Sequence, residues 1–236
     1  MRPILSRILR TLLFLFTLIL ALYYLSSLFY REFRSGETSS AMLLYVGVPV
    51  VLVLGVYAAN VYRSSCLEKM NALLPLLAEK RVREYTEAME KLLKASKGQR
   101  LKTLLTMNLA SGYMAAEDYE QALALLENLP AAKLRGVEEK LSYIINRCKC
   151  CFETGQDEKM MELYSTNLPL FRNYGGNADI SCQIKLLDIM AAIIDRDYAR
   201  SESLLEEAMK TYKDQDIQAY LLRLSGRVGS SLNCRS

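Results

Sequence analysis

Hydrophobic positions along this chain follow two different rules. Residues 11–30 and 41–62 are apolar on every side and hold no charged residue. Each run matches the roughly 20 residues a helix needs to cross a bilayer. From Arg63 onward the apolar positions recur at three- and four-residue intervals between ordinary charged residues, the pattern of helices with one buried face. The pattern predicts an all-α protein: a transmembrane helical hairpin over residues 1–62, then a helical domain over 63–225. Residues 226–236, rich in Ser and Gly, are expected to form a flexible tail.

Within the helical domain the pattern repeats. Residues 104–129 read as a helix, a tight turn at Glu117-Asp118, and a second helix opened by Tyr119-Glu120-Gln121-Ala122. A step back of 34 residues lands on Tyr85-Thr86-Glu87-Ala88, with Leu92 standing for Leu126. That spacing is the period of the tetratricopeptide repeat. The series Leu109, Ala110, Tyr113, Asp118, Tyr119, Ala122, Leu126 and Leu129 resembles one unit of that family. Thr106 replaces its usual Trp, and Glu117 its usual turn Gly. Weaker units cover residues 141–168, with Gly155 at the turn, and 180–212, with Asp197-Tyr198 at the turn. A last helix over residues 216–224 is expected to cap the open end. The resemblance implies an α-solenoid of three or four helix pairs whose first helices line a curved groove, and a role in assembly.

Charge sets the expected orientation. Arg2, Arg7 and Arg10 precede the first run; Arg63, Lys69, Lys80, Arg81 and Arg83 follow the second. The loop between holds only Arg31 and Arg34. Lys and Arg favour the cytoplasmic side, so both termini are expected in the cytoplasm of an integral protein of the cell membrane. A cleaved signal peptide fits worse, because the first run exceeds the usual apolar core and lacks a small-residue cleavage site. Gly55 and Ala59 form a small-xxx-small pair, which suits packing of the two spans or oligomerisation. Seven charges precede residue 63, five basic and two acidic. Of 30 Lys+Arg and 26 Asp+Glu, the helical domain therefore carries 25 and 24. Near-neutrality argues against nucleic acid as a partner.

Chemistry is scarce. The chain has no His, which removes the commonest general base and metal ligand. No nucleophile elbow, phosphate loop or metalloprotease signature occurs, and neither an enzyme nor a cofactor is expected. Cys148, Cys150 and Cys151 form a cluster that, with Cys182, offers thiolates to zinc. Burial as small hydrophobes explains it more simply, and free thiols fit a reducing cytosol. Two interaction surfaces are expected. In the family's register the groove is lined by Met107, Ser111 and Met114, then by Ile145, Lys149 and Phe152. That lining suits an apolar peptide or helix. The basic stretch opened by Lys80, Arg81 and Arg83 is expected either to meet anionic headgroups or to form a solvated helix face. The function these features imply is a membrane-anchored interaction scaffold. The alternatives are an accessory subunit of a membrane complex that makes contact through its spans, and a thiol- or metal-dependent protein.

Overall fold

The computed structural model describes Tyr23, Tyr24, Ser27 and residues 40–134 and 136–233. Most of the first apolar run, the loop after it and residues 234–236 lie outside them. All regular structure among the described residues is helical. We number the helices α1 (Ser40–Ala78), α2 (Val82–Ala95), α3 (Gln99–Ala115), α4 (Tyr119–Glu127), α5 (Val137–Glu153), α6 (Asp157–Tyr174), α7 (Ala178–Ile194), α8 (Tyr198–Thr211) and α9 (Gln215–Asn233). A 3-10 turn, Ala131–Lys133, lies between α4 and α5. The chain divides into two compact units, Met1–Ser65 and Cys66–Ser236.

In the first unit the helix is continuous from Ser40. Val51, Leu52, Val53, Leu54, Val56, Tyr57, Val61 and Tyr62 are all exposed. Gly55 and Ala59 are exposed as well, and no atom lies within 4 Å of a Cβ built on Gly55. Consecutive exposed residues face every side of a helix, so this stretch is apolar all round and uncovered by the other described residues. One helical stretch among the described residues, Val50–Ala78, is long and apolar enough to cross a membrane. Its downstream part is already engaged: Leu67, Met70, Leu73, Leu76 and Leu77 pack into the core of the second unit. Residues 51–62 are therefore the part that the other described residues leave without cover.

The second unit is a row of helix pairs, and its turns reveal the repeat better than its side chains do. Lys80, Glu117, Gly155 and Arg196 all take the left-handed conformation, with φ of 59°, 61°, 71° and 58°. In each case the next amide donates to a carbonyl five residues back: Arg81 to Leu76, Asp118 to Tyr113, Gln156 to Cys151 and Asp197 to Ala192, at 2.8–3.0 Å. The left-handed residue itself donates three back, at 3.0–3.3 Å. These paired bonds satisfy the last carbonyls of a helix and reverse the chain. Four such turns define four pairs: the end of α1 with α2, α3 with α4, α5 with α6, and α7 with α8.

The observed turns correct the spacing expected for the first unit. Five residues past each left-handed position stand Tyr85, Ala122, Met160 and Ser201, all fully buried. Tyr85 thus matches Ala122, not Tyr119, and the step is longer than 34 residues. A ring fits where the next pair has a methyl because α3 provides Gly112 opposite it. A Cβ on Gly112 would lie 2.7 Å from a Tyr85 ring carbon.

The core runs along the row. Cys66, Tyr85, Met89, Leu101, Leu105 and Leu109 fill its start, and Tyr113 and Leu125 join this cluster to the larger one downstream. α5 is buried on most of its circumference, at Leu141, Tyr143, Ile145, Cys148, Cys150, Cys151 and Phe152, because it lies between pairs. The last helix departs from expectation. It continues past Leu224 through Ser225, Gly226 and Gly229 to Asn233. Asp214 caps its start, accepting from the amides of Asp216 and Ile217 at 3.0 and 3.1 Å.

Candidate functional site

The six expected groove residues come from two first helices of adjacent pairs, α3 and α5. Met107, Ile145 and Phe152 are buried, while Ser111, Met114 and Lys149 are partly buried. The Ser111 hydroxyl donates back to the Met107 carbonyl at 3.1 Å, so it is spent within α3. Asn146 on α5 reaches Ser111 at 3.4 Å, bringing the two helices together on this face.

The α5 end of the lining is already covered, and the cover is α9. The Lys149 ammonium sits 4.4 Å from the centroid of the Tyr220 ring, and the Arg227 guanidinium lies 4.8 Å from that of Phe152. Between them stands Glu153, whose side chain is 3% exposed. Arg223 donates to its Oε1 at 2.7 Å and Arg227 to its Oε2 at 2.6 Å. The Tyr220 hydroxyl donates to Oε1 as well. A buried carboxylate is stable only with such partners. Arg223 also bonds Glu117 at 3.0 Å and the Tyr119 hydroxyl at 3.1 Å, and stacks 4.7 Å from the Tyr220 centroid. At the start of α9, Asp216 pairs with Lys80 at 3.3 Å. One helix thus touches the turn regions of the first three pairs. Its other stripe, Leu221, Leu224 and Val228, is buried in the main core.

Electrostatics follow from this enclosure. Burial lowers the Lys149 pKa against the pull of Glu153. Burial raises the Tyr220 phenol, and the Glu153 charge and hydrogen bond push it further up. Tyr119 is raised by burial. The site therefore holds its phenols neutral.

Sequence reasoning missed Glu153, Tyr220, Arg223 and Arg227. A signal was present: Leu221, Leu224 and Val228 keep helical spacing through the Ser-Gly run, with Tyr220, Arg223 and Arg227 on the adjoining stripe.

The basic stretch is less available than its charge suggested. Arg81 pairs with Glu79 at 2.9 Å and Glu84 at 2.6 Å, and Arg83 with Glu87 at 2.9 Å. Lys80 is held by Asp216. Exposed pairs of this kind contribute little stability, but they dilute a positive surface.

The cysteines among the described residues are core residues. Cys66, Cys148, Cys150, Cys151 and Cys182 are free and buried. Burial pushes the thiols of Cys148 and Cys150 up to about 12, and raises Cys151 and Cys182. Thiols so shifted are poor nucleophiles. Among the described residues no group of three or more His, Cys, Asp or Glu is placed to hold a metal ion.

No protein-family model matches the chain, and no curated protein does. Among solved structures it is similar to PlcR of Bacillus thuringiensis in its apo form. The TM-score is 0.51 at 16% identity, over 85% of this chain and 77% of that one. At that identity the likeness concerns fold alone, and the fold is that of an all-helical repeat protein.

Proposed function

We propose that the protein is a membrane-anchored interaction scaffold whose tetratricopeptide-like row of helix pairs binds a partner peptide or helix. In this reading two spans, residues 11–30 and 41–62, hold it in the cell membrane with both termini in the cytoplasm. The observation that carries the anchor is the uncovered apolar stretch from Val51 to Tyr62. The eight large apolar side chains exposed there would in water each forfeit burial free energy on the order of 1.5–3 kcal/mol; lipid removes that penalty. The absence of any charge from Ala41 to Tyr62 supports lipid over a polar protein surface. The repeat fold supports the scaffold, because stacked pairs present a long curved face.

Alkaline extraction of membranes tests the anchor. The chain should stay in the pellet, and release into the supernatant would refute it. Photo-crosslinking groups at Ser111 and Met114, compared with groups at Val53 and Val56, test the scaffold. Adducts at the first pair support it. Adducts confined to the second pair favour the alternative of an accessory subunit contacting its complex through the spans.

A further inference from the structure

We infer that the Glu153 pocket is a receptor site for a basic, aromatic-bearing amphipathic helix of a partner protein, and that α9 occupies it as a resident ligand. The inference deepens the scaffold reading and rests on it. Three features separate α9 from the pairs beneath it. It opens no further pair; besides local bonds from Gln218 to α8 and its end, its side chains reach residues 67 to 136 positions earlier in the chain. Its polar contacts are concentrated on one buried carboxylate. And that carboxylate is deeply enclosed while its partners are not: Glu153 is 3% exposed, Arg223 32% and Arg227 40%. The receptor half is built into α5, and the ligand half sits at the rim. The same half-buried guanidiniums lie over the rings of Phe152 and Tyr220. Two cations, a phenol hydroxyl and a flanking apolar stripe therefore define what the pocket accepts: Tyr, Arg and Arg at positions i, i+3 and i+7, with Leu, Leu and Val at i+1, i+4 and i+8. Charge complementarity excludes an acidic helix, which would meet Glu117 and Glu153.

The test uses the full-length chain in detergent micelles and a labelled synthetic peptide of residues 215–233 as the probe. In the wild type the resident helix competes, and peptide capture should be weak. R223E/R227E sets like charges against Glu153 and should free α9. Amide exchange should then rise across residues 215–233 while α3 to α7 stay protected. The variant should bind the peptide at least tenfold more tightly than the wild type does. Adding E153Q to that variant, or placing Glu at both Arg positions of the peptide, should abolish the gain. R223Q/R227Q serves where the charge reversal is too severe. The inference is overturned if α9 stays protected in both variants, if α3 to α7 lose protection along with it, or if freed protein fails to take the peptide. A concentration-dependent dimer in place of peptide capture would assign the pocket to a second copy and overturn a separate partner. Failure here is distinct from failure of the scaffold reading. Groove adducts can appear without peptide capture, and capture can occur in a chain that carbonate strips from the membrane.

Discussion

At Gly112 a single hydrogen atom decides whether two helices fit. Its missing Cβ leaves room for Tyr85, whose hydroxyl donates to the Asn108 carbonyl at 3.1 Å. Gly112→Ala brings a methyl to 2.7 and 2.8 Å from ring carbons that are themselves fully enclosed. Overpacking of this kind costs about 1–3 kcal/mol, and urea denaturation should show it. Ala122→Leu, at the equivalent buried position of the next pair, should cost a similar amount. Gly55→Ala, which meets nothing within 4 Å, should leave the repeat unit unchanged. The Tyr85 result also shows where residue-level reading of the sequence stops. Tyr followed three residues later by Ala occurs at Tyr85 and again at Tyr119, and the similarity misleads by three residues. Packing phase depends on which residue the neighbouring helix makes room for, and no local pattern carries that information.

Titration belongs to the same scale. Tyr85 and Tyr113 are pushed up to about 12, the first by burial and the second by its hydrogen bond to Glu90. Cys148 and Cys150 are raised to about 12 by burial. A raised folded value means that the neutral form stabilises the fold. The contribution is complete below the unfolded values, about 8.5 for Cys and 10 for Tyr. It is lost as pH rises toward the folded values. Stability measured by denaturant midpoint should hold steady from neutral pH to about 8.5 and fall through the alkaline range. A midpoint that is flat to pH 11 would mean that these groups are solvated.

Elements are joined here by one kind of turn, used four times with four different residues at the left-handed position. Gly155 alone suits it without strain. Lys80, Glu117 and Arg196 each carry a Cβ into a conformation that costs roughly 1–2 kcal/mol. Arg196→Gly at an exposed turn should therefore stabilise the fold by up to about 1 kcal/mol, and Gly155→Ala should destabilise it by about the same amount. Two of the turns also hold a cap: Asp118 accepts from the Gln121 amide at 3.1 Å and Asp197 from the Arg200 amide at 3.2 Å. These two Asp-Tyr turns were legible in the sequence because a capping side chain announces a helix start, and the third because Gly155 suits the left-handed position. The Lys80 turn carries no such mark and was not. The end of α9 was obscured for a related reason. Glycine and serine weaken a helix intrinsically, and only tertiary burial of Val228 and pairing of Arg227 carry α9 through them.

For the whole molecule, the proposed orientation rests on the placing of Lys and Arg. A reporter fused after Ser236 should read as cytoplasmic and one inserted near Gly36 as external; an external signal from the C-terminal fusion would reverse the proposed topology. The class of fold was the most legible property at this scale. Periodicity separates an apolar run from an amphipathic helix without knowledge of contacts. The covered groove was the least legible, since it joins residues up to 106 positions apart.

The reach of α9 across the turns changes how the repeat unit comes apart. An ordinary row of helix pairs is coupled only between neighbours, so it can fray from either end, one pair at a time. Here Asp216 touches the first turn and Arg223 the second and third. The last helix and the first turns are mechanically in parallel, not in series. Release of α9 therefore breaks contacts at three turns in one event, so this helix leaves as a single latch and not turn by turn.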